Sequence, residues 1–308
     1  MLRGSITPLV TPFHGGAVDV AGLERLVEFQ IANGSHGVGV TGTTGEPTSL
    51  IYEERRLVIE TAVRAARGRV PVLAGTGSAN HEETVRLTRF AREAGAVAAL
   101  VIVPYYCRPS QQGLYEHFRS VAESVPDLPL MLYNIPGRNA VNLEPATMAR
   151  LRRACPNIFG VKEANKDFAQ VSLDLHACGR DFGVYSGIET LCYPMLALGG
   201  AGHVSATANV LPRQLADLYN LCEEGRWDDA RDLHYELLEM NEILFIETNP
   251  APVKAALGLM GLISPDLRLP LAPIGDANRA KLVEVMRHYD LPTADRAGEG
   301  ARETAGAY

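Results

Sequence analysis

A lysine ends a short apolar segment at residues 158–161, where the sequence IFGV predicts a buried strand. Lysine is among the least often buried side chains, so Lys162 needs an explanation. A lysine kept away from water has its charged form disfavoured, which leaves a neutral amine that can attack a carbonyl carbon. Glu163 is a poor ion-pair partner because adjacent strand residues point to opposite faces. We therefore predict that Lys162 forms a Schiff base with a carbonyl substrate.

Schiff-base chemistry also needs groups that carry protons while a carbinolamine forms and loses water. Tyr133 ends another apolar segment and can act as an acid and base, with Thr43 and Tyr106 relaying protons onward. Taken alone, Tyr133 would more often be a packing residue. The segment GTTGE supplies backbone amides that can form a nest for the carboxylate of a small keto acid. Arg138, in the loop NIPGRNA, can bind a second carboxylate through two hydrogen bonds, although a loop arginine equally often forms a surface ion pair.

The elements that must position these residues follow a repeating pattern. Eight apolar strand-like segments alternate with helical patterns between residues 4 and 225. Strands that are apolar on both faces are typical of a parallel sheet covered by helices, and eight such units favour a closed barrel over an open sheet. We predict a catalytic (β/α)8 TIM barrel over residues 1–225, a helical appendage over 226–292 and an exposed tail over 293–308.

In such a barrel the reactive groups gather at the carboxyl ends of the strands. The candidates at those ends are Thr43, Thr44, Tyr105, Tyr106, Tyr133, Lys162 and Gly187. All but the glycine carry a hydroxyl or an amine, and none is a histidine or cysteine metal ligand. Core packing would not select these residue types, so their shared position supports the Schiff-base interpretation.

Composition excludes several other classes. The chain has 29 Lys and Arg against 36 Asp and Glu, a formal charge of -7, without a basic block, so a nucleic-acid partner is not expected. No apolar run approaches the roughly 20 residues that cross a bilayer, and the N-terminus lacks a signal-peptide pattern. Five cysteines without a CxxC pair favour free thiols in a reducing compartment. We expect a cytoplasmic protein that has no membrane contact.

Two further motifs suggest other chemistry. GVGVTG, residues 37–42, matches the dinucleotide fingerprint GxGxxG, but its glycines lie inside a predicted strand and do not open a helix. NHEET lacks the second histidine of the HExxH zinc motif. His203 stands alone, so we interpret it as a core or loop histidine whose hydrogen bonds are satisfied. Neither a nicotinamide cofactor nor a metal ion is predicted.

Several longer segments resemble the family of Schiff-base pyruvate lyases typified by dihydrodipicolinate synthase and N-acetylneuraminate lyase. The similarity runs from about residue 4 to residue 274, through the segments GSITPLVTPF, GTTGE, PVLAGTG, PYYCRPSQQGLYEHF, YNIPGR, GVKEA, VSATANVLP, NPAPVKAAL and LRLPLAPI. The resemblance implies that Lys162 is the imine lysine, Tyr133 the acid/base tyrosine and Thr43 the relay threonine. It also implies that Tyr106 is a relay tyrosine donated by a neighbouring subunit, hence a homodimer, usually paired into a tetramer.

The resemblance also implies the substrates. Thr43 and Thr44 would hold the carboxylate of pyruvate, with Gly187 and Ser205 as further substrate-binding residues. Arg138 would hold the carboxylate of the second substrate, aspartate semialdehyde, which favours a synthase over a sialic acid lyase. The resemblance implies no cofactor, because pyruvate itself is bound covalently as an imine.

The chain departs from the synthase pattern at several positions. SGIE, residues 186–189, stands where synthases typically read SGDD, and Asn139 stands where threonine is usual. Tyr52 and Arg55 replace histidines that lysine-inhibited synthases tend to carry, so feedback inhibition by lysine is not expected. Two alternatives remain open: a related pyruvate aldolase that cleaves a 4-hydroxy-2-oxo acid such as 2,4-dihydroxyhept-2-ene-1,7-dioate, and an inactive ligand-sensing barrel.

Overall fold

Eight parallel strands close into one barrel in the computed structural model, which describes residues 2–293. The strands are β1 (Gly4–Pro8), β2 (Gly37–Val40), β3 (Val72–Gly75), β4 (Ala98–Ile102), β5 (Leu130–Asn134), β6 (Ile158–Glu163), β7 (Gly183–Ser186) and β8 (Gly202–Val204). Each pairs with the next along the chain, and β8 pairs with β1 to close the ring. The predicted (β/α)8 barrel is confirmed.

A helix follows each strand and packs on the outside of the barrel. These helices are α1 (Val20–Ala32), α2 (Tyr52–Ala66), α3 (His81–Glu93), α4 (Gln111–Ser124), α5 (Pro145–Ala154), α6 (Phe168–Cys178), α7 (Cys192–Ala197) and α8 (Pro212–Glu223). Side-chain caps fix several of the helix starts. Asp19 accepts a hydrogen bond from the Gly22 amide at the start of α1, and Ser110 accepts one from Gly113 at the start of α4.

Side chains fill the barrel interior. Ile6, Leu73, Leu100 and Met131 point into it and are buried. Burial of each such side chain contributes about 1.5–3 kcal/mol to the free energy of unfolding. The barrel is therefore a packed core, and reactive groups are expected at the mouth formed by the carboxyl ends of the strands.

Helices make up the region after the barrel, as predicted. They are α9 (Trp227–Glu236), α10 (Leu238–Ile243), α11 (Ala251–Leu259) and α12 (Asp276–His288). Buried residues of these helices, among them Met240, Leu257 and Leu282, share one apolar cluster with Leu23 of α1 and Leu215 of α8. The helical region thus packs directly on the barrel.

The exposed tail predicted for residues 293–308 lies outside the described residues, apart from Thr293, which is buried. Within residues 2–293, no helix combines the length and the apolar character needed to cross a membrane.

Candidate active site

The carboxyl ends of the strands open into a cavity of about 450 Å³. One wall comes from the loops after β2, β4 and β5, and another comes from residues 248–271 of the C-terminal region. The lining includes Thr43, Tyr105, Tyr106, Tyr133, Arg138, Thr248, Asn249, Arg268, Pro270 and Leu271. The C-terminal region therefore shapes the mouth, which the division into a catalytic barrel and an appendage did not predict.

Lys162 lies near the end of β6, paired in register with Tyr133 of β5. Its side chain is 6% exposed, and its Nζ lies 4.4 Å from the centroid of the Tyr133 ring. Gly187 lies against the lysine stem, because a Cβ at that position would come within 2.8 Å of Lys162 Cε. A larger residue at position 187 would displace the amine, which explains the glycine at this strand end.

Thr43 reaches the same group of side chains from the loop after β2. It opens a short 3-10 turn, Thr43–Gly45, and its Oγ1 lies 3.4 Å from the hydroxyl oxygen of Tyr133. Tyr133 is 4% exposed. The structure thus places an amine over the ring of a phenol whose hydroxyl is within reach of an aliphatic hydroxyl, so a proton can pass between the phenol and Thr43.

Tyr106 is placed differently. Its side chain is 95% exposed at the cavity rim, and its backbone φ of 70° lies in the left-handed region. Within one chain it is not part of the buried Lys162, Tyr133 and Thr43 group. A surface position of this kind leaves its hydroxyl available to another molecule.

The candidate substrate-binding residues also differ in their surroundings. Thr44 is buried, and its Oγ1 accepts a hydrogen bond of 3.0 Å from Asn249 Nδ2, so its own hydroxyl hydrogen stays available to donate. Arg138, in the one-turn helix Pro136–Asn139, is exposed at the mouth with its Nη2 3.5 Å from the Asn249 carbonyl oxygen. Arg138 lines the cavity, whereas Thr44 lies behind the lining, next to Thr43, which does line it.

Ser205 is buried and, like Lys162, does not itself line this cavity. Its hydroxyl donates to Glu189 Oε1 at 3.3 Å, and the Ala206 amide donates to the same oxygen at 2.8 Å. Glu189 is buried, and burial raises the pKa of its carboxyl, while the Ala206 amide and the charge of Lys162 act in the opposite direction. Glu189 is part of the segment SGIE, which departs from the synthase pattern. The sequence alone did not reveal that the Glu189 side chain turns inward toward the residues after β8.

A buried polar network backs the two site strands on their outer face. Asn134, next to Tyr133, donates to both oxygens of Glu163 at 3.1 and 3.0 Å. Asp174 of α6 lies against Glu163, and burial raises the pKa of Glu163 to about 7. Burial, together with the Glu163 charge, raises the pKa of Asp174 to about 9. Both carboxyl groups therefore hold their protons to higher pH than exposed carboxyl groups do.

The sequence contains four lysines, of which two are exposed and two are buried in different surroundings. Lys166 and Lys281 are exposed. Lys254 of α11 is 0% exposed and forms an ion pair with Glu46. Burial lowers the pKa of Lys254, and Glu46 acts in the opposite direction. Lys162 has no ion-pair partner within residues 2–293, so it is the buried lysine whose amine is not committed to a carboxylate.

The other departures from the synthase pattern make internal contacts. Arg55 is buried, donates to the Gly75 carbonyl oxygen at 3.1 Å and pairs with Glu83 at 3.3 Å. The guanidinium carbon of Arg86 lies over the Tyr52 ring, 3.8 Å from the ring centroid. Asn139 donates to the Val103 carbonyl oxygen at 2.7 Å.

His203 is a fully buried histidine of β8, as interpreted from the sequence, and neither of its ring nitrogens makes a well-aligned hydrogen bond within residues 2–293. Burial lowers its pKa to about 3 and keeps the ring neutral. Among the described residues, His, Cys, Asp and Glu side chains nowhere form a group of three able to hold a metal ion.

A family model, curated relatives and solved structures that are similar to this chain all carry the same family name. Residues 1–289 match the model of the dihydrodipicolinate synthetase family. The chain is 49% identical to 4-hydroxy-tetrahydrodipicolinate synthase of Thermus thermophilus, over 94% of this chain and 97% of the relative. The crystal structure of dihydrodipicolinate synthase from Aquifex aeolicus superposes with a TM-score of 0.93 at 44% identity, covering 95% and 99% of the two chains. A structure described as the first monomeric dihydrodipicolinate synthase variant gives 0.92 at 38% identity, covering 94% and 97%.

Proposed function

Because the chain belongs to the dihydrodipicolinate synthetase family, we propose that it is a 4-hydroxy-tetrahydrodipicolinate synthase acting in lysine biosynthesis. It condenses pyruvate with aspartate semialdehyde through a Schiff base on Lys162. The observation that carries this proposal is a shielded lysine amine, without an ion-pair partner in residues 2–293, in contact with the Tyr133 ring. The identity of about half the residues to named synthases over nearly the whole chain supports the same function.

The first step is attack of the Lys162 amine on the C2 carbonyl carbon of pyruvate. Tyr133 donates one proton to the carbonyl oxygen, regains a proton from the carbinolamine nitrogen, and donates it to the departing hydroxyl, which leaves as water. The nitrogen then gives its second proton to the phenoxide and a neutral imine remains, with Thr43, 3.4 Å from Tyr133, relaying protons between nitrogen and phenol. Since the site is largely closed to solvent, the hydrolysis that would reverse this step is slowed.

The second step forms the carbon–carbon bond. Loss of a proton from the methyl carbon of the imine gives an enamine, whose carbon attacks the aldehyde carbon of aspartate semialdehyde. The amino group of the second substrate then attacks the imine carbon, closes the ring and releases the Lys162 amine. The alkoxide formed at the aldehyde oxygen takes up the proton that the methyl carbon lost, by way of the Tyr133 and Thr43 hydroxyls. No step of this mechanism calls for a metal ion, so dialysis against EDTA should leave turnover unchanged.

Recognition of the two carboxylates is assigned to opposite sides of the mouth. The Thr43–Gly45 turn and the Thr44 hydroxyl, which retains its donor hydrogen, bind the pyruvate carboxylate. The exposed guanidinium of Arg138 binds the carboxylate of aspartate semialdehyde, for which it offers paired donors.

A second copy of the chain is the proposed partner of Tyr106. A tyrosine that is 95% exposed at the rim of the site is suited to enter the proton relay of a neighbouring subunit. Because one structural relative is described as monomeric, the oligomeric state needs a direct measurement. Light scattering after size-exclusion chromatography should give a dimer or tetramer, and a monomer that is fully active would contradict the shared relay.

The second substrate separates the synthase from a related aldolase. Pyruvate consumption is measured with aspartate semialdehyde and, in parallel, with succinate semialdehyde, which keeps the aldehyde and the carboxylate but lacks the amino group. We expect turnover with the first and little with the second. Turnover confined to succinate semialdehyde would overturn the synthase assignment and favour the aldolase, whereas turnover with neither aldehyde would favour a ligand-sensing barrel.

A further inference from the structure

A buried ion pair connects the C-terminal region to the site loop. Lys254 lies in the apolar helix α11, has no exposed surface, and pairs with Glu46, whose side chain is 1% exposed. The Lys254 Nζ also donates to the Asp266 carbonyl oxygen at 2.7 Å and lies 4.0 Å from the centroid of the Phe13 ring. Removing two opposite charges from water often costs as much as their attraction returns, so stability alone is a weak reason for this pair.

Glu46 stands immediately after the turn that carries the two site threonines. Its amide donates to the Thr43 carbonyl oxygen at 3.2 Å, which closes the 3-10 turn Thr43–Gly45. Its backbone φ of 54° lies in the left-handed region, which a side chain with a Cβ adopts reluctantly. The carboxylate therefore holds the backbone in a conformation that the local sequence does not favour.

Other contacts from the C-terminal region reach the same loop. Asn249 donates to the Thr44 hydroxyl at 3.0 Å. The Arg268 amide donates to the second Glu46 oxygen at 3.2 Å, and its guanidinium donates to the Ser49 carbonyl oxygen at 2.9 Å. Contacts from three residues after the barrel thus converge on the loop after β2.

We propose that the Lys254–Glu46 ion pair is a positioning device that holds Thr43 and Thr44 in the geometry that binds the keto acid carboxylate. Asn249 and Arg268 complete it. The proposal rests on the proposed function, because it assigns the ion pair a task in pyruvate binding. The helical region after the barrel is then part of the catalytic unit, and none of these four residues needs to touch the reacting atoms.

The test uses the variants Lys254→Met, Glu46→Gln and the double variant. For each, the half-saturating pyruvate concentration is measured from borohydride-trapped adduct by intact mass, alongside the half-saturating aspartate semialdehyde concentration and the thermal unfolding midpoint. We expect Lys254→Met to need at least about tenfold more pyruvate, with the requirement for aspartate semialdehyde unchanged, because the lost contacts order only the first site.

The double variant separates positioning from stability. Lys254→Met alone leaves Glu46 as an uncompensated buried charge, whereas the double variant removes both charges. We expect the double variant to regain much of the thermal midpoint while its pyruvate requirement stays high. A return of both properties to wild-type values would show that the ion pair serves only the fold, and would overturn the proposal.

A matched control and the wild-type protein complete the design. Phe118→Leu alters a buried side chain in an apolar cluster that contains none of the four residues, so it lowers the thermal midpoint with an unchanged pyruvate requirement. If wild-type protein forms no pyruvate adduct, the proposed function fails and takes this proposal with it. If wild type forms the adduct and Lys254→Met saturates at the wild-type concentration, only the positioning proposal fails.

Discussion

Two lysines of this protein are buried, and they differ in whether a carboxylate lies beside the amine. Lys254 is enclosed by a carboxylate, a carbonyl oxygen and an aromatic face, all of which favour its ammonium form. Lys162 lies beside a phenol and a glycine, without an ion-pair partner in the described part of the chain. Burial by itself therefore does not make a nucleophile. A buried lysine becomes one where the neighbours can exchange protons with it and do not fix its charge.

The largest effect is expected from removing the unpaired amine. Lys162→Met should lower kcat/KM at least about 10⁴-fold, because no other group can form the imine. Lys162→Arg should lose as much, since a guanidinium keeps the charge without a nucleophilic amine. Steady-state kinetics with circular dichroism as a folding control measures this. Turnover within about tenfold of wild type in either variant would place the chemistry elsewhere.

The neighbour of Lys162 supplies the next effect. Tyr133→Phe keeps the ring against the lysine but removes the hydroxyl that contacts Thr43, so kcat should fall about 10²–10³-fold. The half-saturating pyruvate concentration should change little, because the carboxylate contacts remain. Pre-steady-state trapping with borohydride would show slow imine formation. An unchanged kcat would mean that Tyr133 only packs against the lysine.

A second contrast concerns buried carboxylates. Glu46 lies beside the cation of Lys254, whereas Glu163 lies beside another carboxyl group, that of Asp174. The pKa values of Glu163 and Asp174 are both raised. Groups with raised folded-state pKa values stabilise the fold at low pH, and that stability is lost as the pH rises through those values, here about 7 and about 9. The free energy of unfolding should thus fall as the pH rises from about 6 to about 10.

Asp174→Asn should flatten this decline, because an amide can donate to an ionised Glu163. Denaturant titrations across the pH range measure the effect. Asp181→Asn, at an exposed partner of Arg152, is the matched control and should leave the slope as in wild type. An equally steep decline in the Asp174 variant would show that this carboxyl pair is not the source of the pH dependence.

The smallest effect is expected from free lysine. Arg55 is buried and occupied by Glu83 and the Gly75 carbonyl oxygen, so it is not free to bind an amino acid. L-lysine at about 10 mM should leave turnover unchanged. A dissociation constant above this concentration would be too weak for feedback inhibition. Saturable inhibition at lower concentrations would show that a lysine site exists in spite of these contacts.

The strand ends were predictable from the sequence because they depend on local patterns. Apolar segments alternating with helical periodicity fixed eight units, and one rule about strand ends then placed Thr43, Tyr133 and Lys162 together. Glu46 and Lys254 could not be joined in this way, because a pair separated by so much of the chain has no local periodicity. A lysine inside the apolar segment APVKAALGL indicated a buried charge, but the sequence did not identify Glu46 as its ion-pair partner.

Ser205 shows a second limit. The family resemblance implied a role in substrate binding, and the structure shows its hydroxyl directed at Glu189, a residue of the preceding loop. The sequence predicts which end of the barrel a residue occupies. It does not predict which neighbour its side chain faces, because that depends on the packing of two loops against each other.

The most direct test of the contrast between the buried lysines is to treat the protein with pyruvate and borohydride and to map the modified lysine by peptide mass. With four lysines in the chain, the result is unambiguous. The account predicts a single reduced adduct on Lys162, with Lys254 unmodified. An adduct on Lys254, or on the exposed Lys166 or Lys281 in preference to Lys162, would contradict it.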